Sequence, residues 1–238
     1  MEKNKIDLFK ETYNGLNLSH HPYPRMYRYL KWCFKGVDFK DKKVLDIGGG
    51  NGIYSYFSTY KGATSSLNLE PFSSGSTFFK KTNKRNLLEI QTLNKTLQEF
   101  NSEAKFDIII LHDSINHLDE ETFSKIHLEK KSFDKYRILV DKIISFLDNE
   151  GLIIITDCSS RNFWGNIGVK NPFAPSIDWE LHQPPNLVLK FFDKSKMSVK
   201  VRWSPFKRFG HFGILLSYLG ELPAFFMQSH FNIHLRRQ

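Results

Sequence analysis

Cysteine is almost missing from this chain: 238 residues hold two, Cys33 and Cys158, far apart in sequence. A disulfide framework and a cysteine-based zinc site are therefore not expected, and a reducing, cytoplasmic setting suits the chain. The opening residues MEKNKIDLFK are charged and contain no apolar core segment, so no secretory leader is expected. Long apolar runs are absent too. The richest, FGILLSYLGELPAFFM at 212–227, is broken by Glu221 and Pro223 and is too short to span a bilayer. The net charge is +9, yet no run of five basic residues occurs; the basic residues form only short clusters such as Lys80-Lys81, Lys84-Arg85 and Lys207-Arg208. With no basic arm and no aromatic-and-basic RNA-binding signature, nucleic acid is not the expected partner, and the charge suits an anionic small molecule or membrane surface equally.

There is no repeat, low-complexity stretch or obvious linker, and a hydrophobic content of 40% suits one packed domain. Short apolar runs alternate with longer amphipathic ones, as in a parallel sheet with crossover helices. KVLDI at 43–47, SSLNLE at 65–70 and LLEIQ at 87–91 read as strands. FDIIIL at 106–111 and GLIIITD at 151–157 are the strongest, because continuous β-branched runs are what strands covered on both faces require. Between these two, 120–147 has helical spacing with Tyr136, Leu139, Val140, Ile143, Ile144 and Leu147 on one side, and Asp148 to Gly151 form a turn. A helix over about 23–35 precedes the first strand. Residues 159–182 read as a long structured loop, followed by a helix near 184–194, a strand near 197–203 and a last strand at 230–236. The division expected is an N-terminal helical cap (1–41), a core (42–158) and an acceptor side (159–238) carrying a helical insertion at 205–228.

The informative stretch is Val44-Leu45-Asp46-Ile47-Gly48-Gly49-Gly50-Asn51-Gly52. A strand runs into a turn with glycines at 48, 50 and 52, and a helix follows. Glycine belongs where the backbone takes unusual dihedrals and where a ligand approaches it with no Cβ in the way. The spacing is tighter than the G-x-G-x-x-G of dinucleotide binders, and Asp46 sits two positions before the first glycine. Glu70 ends the next strand, where a carboxylate can accept both hydroxyl protons of a ribose. Pro71 follows, and Phe72 is placed to lie against an adenine face.

In order and spacing, V-L-D-I-G-G-G-N-G, L-N-L-E, F-D-I-I-I-L and G-L-I-I-I-T-D resemble the class I S-adenosylmethionine-dependent methyltransferases over about residues 42–158. The resemblance implies an α/β, doubly wound, seven-stranded sheet of order 3-2-1-4-5-7-6 with the last strand antiparallel and helices on both faces. It implies S-adenosyl-L-methionine as cofactor, with Asp46, Gly48, Gly49, Gly50 and Gly52 by its methionine portion and Glu70 on its ribose. Asn94 falls where the family often has an Asp or Asn beside the adenine.

Methyl transfer requires mainly alignment of acceptor, methyl and sulfur, and a hydroxyl acceptor gains from a general base. The carboxyl ends of the strands are where that base belongs. Leu111 to Asp119 leave the strongest strand there and supply His117, His112 and Asp113 as candidates. Asp113 and Asp157 end adjacent strands, but Cys158 follows Asp157 where metal-dependent relatives of the catechol type have Asn, so no metal is expected. Trp164, Phe173, Trp179 and His182 are expected to wall the acceptor pocket. The expected reaction is O-methylation of a small molecule or glycan. The alternatives are an RNA or protein methyltransferase, a nicotinamide-dependent oxidoreductase and a non-catalytic partner that keeps the fold for binding. The 205–228 insertion is expected to be a lid on the sheet, with a membrane-surface or dimer face as its alternatives.

Overall fold

The structure, a computed structural model, describes residues 9–14, 22–72, 90–204 and 209–238. Its strands are β1 (Lys43–Ile47), β2 (Ser65–Leu69), β3 (Ile90–Leu93), β4 (Phe106–His112), β5 (Leu147–Cys158), β6 (Met197–Ser204) and β7 (His230–Arg237). They form one seven-stranded sheet of order β3-β2-β1-β4-β5-β7-β6. β1 pairs in parallel with β2 and β4, and β2 with β3, whereas β7 runs antiparallel to both β5 and β6. The main helices are α1 (Tyr23–Cys33), α2 (Ile53–Tyr60), α3 (Glu120–Lys125), α4 (Lys130–Ser145), α5 (Phe163–Asn166), α6 (Pro185–Val188), α7 (Gly210–Leu216) and α8 (Glu221–Phe226).

The chain divides into two compact units, residues 1–111 with 146–151, and residues 112–145 with 152–238. In the first, β1 and β4 are buried almost throughout, as their mainly apolar centres require. Aromatic rings fill the space beside them. Phe9 stacks on Tyr56 and Tyr60 at 5.3 and 5.1 Å between centroids, Phe34 stacks on Phe57 at 5.5 Å, and the Tyr56 hydroxyl donates to Thr12 Oγ1 at 2.9 Å. In the second unit, Leu152 to Ile155 are buried, and Tyr136 packs against Phe123 at 4.8 Å while Phe133 stacks on Phe191 at 4.4 Å.

Several boundaries differ from those predicted. The third strand runs to Leu93 rather than ending at 91; residues 87–89 lie outside the described residues, as do 205–208 of the insertion. The helical stretch at 120–147 is two helices. Asp119 caps α3 by accepting from the Thr122 amide at 3.1 Å, and α4 buries Ser132, Tyr136, Val140 and Ile143, the spacing of one helix face. Asp148 to Gly151 do not separate helix from strand but belong to β5, which kinks there: Glu150 has φ +58, and a Cβ on Gly151 would press on the Asp148 carbonyl at 2.8 Å. The long loop contains α5 and a 3₁₀ turn at Trp179–Leu181, and it is stitched to the segment before β7. Asn171 donates to the Met227 carbonyl at 2.6 Å, and the Ser229 hydroxyl to that of Arg161 at 3.0 Å. Helices α7 and α8 lie against β6, and together with the 3₁₀ turn between them (Ser217–Leu219) they leave Phe212, Leu215, Tyr218, Leu219 and Leu222 exposed.

Candidate functional site

The glycine turn joins β1 to α2, and each of its glycines 48, 50 and 52 takes a left-handed φ, of +67°, +53° and +74°. Gly52 closes the turn by donating to the Gly49 carbonyl at 2.8 Å, and Gly48 donates to the Leu69 carbonyl of β2 at 2.7 Å. Two of the glycines serve different ends. A Cβ on Gly49 would collide with the side-chain oxygens of Asn68 and Asp46, so this position is fixed by close packing. A Cβ on Gly50 would meet nothing within 4 Å; it would project into open space, where a ligand can approach the backbone.

Asp46 lies fully buried beneath this turn. Its Oδ2 accepts from the Ser55 amide at 3.1 Å and the Ser55 hydroxyl at 2.7 Å, while Oδ1 has no hydrogen-bond partner. Burial pushes its pKa up to about 7; the Ser55 hydrogen bonds oppose the rise and the Glu70 charge adds to it. An unpartnered, buried carboxylate oxygen is costly by itself and suited to a polar or cationic group brought by a ligand.

Glu70 stands at the end of β2 and reaches across to the turn. Its Oε2 accepts from the Gly50 amide at 2.8 Å and its Oε1 from the Phe72 amide at 3.0 Å. Asn94 joins it from beyond β3, donating to the backbone carbonyls of Glu70 at 3.2 Å and Phe72 at 3.4 Å. Four residues singled out in the sequence (Gly50, Glu70, Phe72 and Asn94) thus form one hydrogen-bonded group. Pro71 is exposed, and the Phe72 ring is 72% exposed, available for stacking rather than spent on packing.

In the second unit the candidates separate. His117 ends a 3₁₀ turn (Ile115–His117) with its Nδ1 at 2.5 Å from Glu120 Oε1, and both side chains are about half exposed. His112, whose side chain is 7% exposed, instead meets Asp113: Nδ1 lies 3.3 Å from Asp113 Oδ2. Asp113 adopts φ +49, a conformation Asp tolerates better than most residues, and its other oxygen lies 3.6 Å from Nε2 of buried His230. His182 meets Asp157, Nδ1 to Oδ1 at 2.8 Å. Burial pushes the Asp157 carboxyl up from its ordinary pKa, although the His182 contact opposes this. Burial pulls His182 down, but the hydrogen bond and charge of Asp157 outweigh it and leave the imidazole above its ordinary value. Trp179 lies beside His182, with ring centroids 6.2 Å apart. Trp164 does not join them: its indole donates to the Phe226 carbonyl at 2.8 Å and its ring meets Phe173 edge-on at 6.1 Å.

No family model and no curated protein matches the sequence. Solved structures do. A methyltransferase dependent on S-adenosylmethionine from Mesorhizobium loti aligns over 90% of this chain and 98% of its own, at TM-score 0.60 and 13% identity. The N-methyltransferase NodS from Bradyrhizobium japonicum WM9, in complex with S-adenosyl-L-homocysteine, aligns over 95% and 98% at TM-score 0.56 and 11% identity. The plantazolicin methyltransferase BpumL, in complex with the same product, aligns over 99% and 88% at TM-score 0.54 and 15% identity. The chain has the S-adenosylmethionine-dependent methyltransferase fold.

Within that fold, sequence reasoning missed His230 and the His182–Asp157 pair. Both are legible in part, since HFNIHLR reads as a strand and Asp157 as a strand end. It also missed a part-buried polar chain across three strands, in which Arg202 donates to Asn232 at 2.6 Å and Asn232 to Thr156 Oγ1 at 2.8 Å.

Proposed function

We propose that the chain is a methyltransferase that uses S-adenosyl-L-methionine to methylate a hydroxyl group of a small-molecule or glycan acceptor. The observation that carries this reading is the Glu70 carboxylate at 2.8 Å from the Gly50 amide, at the mouth of a glycine turn whose central position opens into free space. The residues fit an adenosyl ligand. Each Glu70 oxygen holds one backbone amide and keeps a lone pair for a ribose hydroxyl. The open side of Gly50 and the unpartnered Asp46 Oδ1 suit the methionine end, Phe72 offers a stacking face, and Asn94 fixes the backbone that presents it. When bound, S-adenosylmethionine supplies a methyl group already activated by its sulfonium.

What remains for the protein is to hold the acceptor in line and to remove its proton. The His182–Asp157 pair supports oxygen as the acceptor atom, because a neutral hydroxyl needs a base and this imidazole is held in orientation by a buried carboxylate. When the cofactor is bound, His182 would accept the acceptor's hydroxyl proton as the methyl group is transferred. Asp157 stabilises the imidazolium that results. His112 and Asp113 occupy the end of β4 that this reading assigns to the acceptor, and Trp179 supplies an apolar wall. His117, half exposed and tied to Glu120, is the weaker candidate for a base. In this reading residues 42–158 carry the cofactor and 159–238 the acceptor, within a single functional domain capped by 1–41.

Calorimetric titration with S-adenosylmethionine, S-adenosylhomocysteine and NADH tests the proposal. Micromolar binding of both adenosyl ligands and none of NADH is the expected result. Binding of NADH alone, or of none of the three, would remove the basis for it.

A further inference from the structure

His112, Asp113 and His230 place three potential ligand atoms within 4.8 Å of one another. The two imidazoles come from different parts of the chain: His112 ends β4, while His230 opens β7 opposite Cys158 of β5. Asp113 stands between them at the rim, half exposed, with one carboxylate oxygen toward each ring, at 3.3 Å from His112 Nδ1 and 3.6 Å from His230 Nε2. The longer separation exceeds a hydrogen bond. Both are close to the spacing of two ligands bound tetrahedrally at about 2.1 Å from one ion, which is about 3.4 Å.

A second observation concerns charge. Asp157 Oδ2 is buried with no hydrogen-bond partner, and the Asp113 charge acts on both Asp157 and His182. β5 alternation puts Asp157, paired with Phe231, on the face opposite to His230, paired with Cys158. Asp113 and Asp157 nevertheless follow or end the neighbouring strands β4 and β5, so that two carboxylates, one of them fully buried, lie near the same edge of the sheet.

We propose that His112, Asp113 and His230 form a binding site for a divalent transition-metal ion of the zinc type. Two imidazoles and one carboxylate suit borderline cations such as zinc, and three protein ligands leave a coordination position open at the exposed Asp113 side. This ligand set is distinct from an Asp113–Asp157 pair. Resting on the methyltransferase reading above, an ion held there would polarise an acceptor hydroxyl at its open position and ease loss of that proton to solvent, the methyl group being supplied by the cofactor.

The test uses the full chain stripped with chelator, titrated with zinc by competition calorimetry and with cobalt(II) by visible absorption. About one equivalent of zinc should bind, and cobalt should give the visible bands of a low-coordinate nitrogen–oxygen site. Asp113→Asn keeps the backbone preference of its position and is exposed, so it should fold normally by circular dichroism. It should weaken zinc beyond the about 10–100-fold that outer-shell changes cost, and His112→Gln should do the same. Absence of a tight equivalent, or zinc binding unchanged in Asp113→Asn and His112→Gln, would overturn the site. Titration of the same samples with S-adenosylhomocysteine separates the two claims. Zinc binding without adenosyl binding sinks the methyltransferase reading alone, and the reverse sinks the metal site alone.

Discussion

Asp46→Asn should remove a pH-dependent loss of stability that wild type suffers between about pH 4 and pH 7. Burial beneath the glycine turn moves the Asp46 carboxyl from 3.8 to about 7. Below the lower value the group is protonated whether the chain is folded or not, so it costs nothing. Between the two values the unfolded chain releases the proton while the folded chain keeps it, and ionisation stabilises only the unfolded state. Stability therefore falls as pH rises, and the loss is complete once the folded group has also ionised. About three pKa units at 1.36 kcal/mol each set an upper figure of about 4 kcal/mol. Asparagine has no proton to lose. Whatever constant packing change it brings, the difference in stability between Asp46→Asn and wild type should grow in the variant's favour by up to that amount between about pH 4 and about pH 8. Urea unfolding at both ends of the range measures this, and subtracting the two proteins cancels every other titrating group. A difference that stays flat with pH would show that Asp46 ionises normally and that the turn above it is more hydrated than the geometry indicates.

Glu70→Ala frees the Gly50 and Phe72 amides and, on the proposed reading, would leave two ribose hydroxyls without an acceptor; S-adenosylhomocysteine affinity measured by calorimetry should fall by about 1–3 kcal/mol. The paired substitutions Gly49→Ala and Gly50→Ala should behave differently. The first collides with Asp46 and Asn68 and should lower the melting temperature sharply, whereas the second meets no protein atom, costs about 1–2 kcal/mol for its left-handed φ and chiefly blocks the ligand. His182→Ala should leave adenosyl binding intact and slow methyl transfer to a hydroxyl acceptor by about 10²–10⁴-fold; an unchanged single-turnover rate would remove His182 as the base.

The parts of the fold that could be read from sequence are those where one physical requirement acts on a continuous segment. Ile108 to Leu111 and Leu152 to Ile155 are apolar without interruption, and Val44 to Ile47 apolar but for Asp46, because both faces of their strands are covered. The glycine turn was readable because its left-handed dihedrals demand glycine at 48, 50 and 52. Glu70 was readable because strand length fixes where β2 ends. The break between α3 and α4 was not, since the apolar spacing continues on both sides of it and the Asp119 cap is a local event. Nor was the strand character of Asp148 to Gly151, whose residues have turn chemistry and kink β5 without ending it. His230 and the His182–Asp157 pair escaped for a different reason. Their partners are set by sheet order and by the path of the 159–182 loop, which composition does not encode.

The most direct test of the account is a crystal structure of the chain with S-adenosylhomocysteine bound. The account predicts both ribose hydroxyls on the Glu70 carboxylate, the adenine against Phe72, and the homocysteine end over the open side of Gly50. An adenosyl group held elsewhere, with Glu70 still contacting only the Gly50 and Phe72 amides, would contradict it.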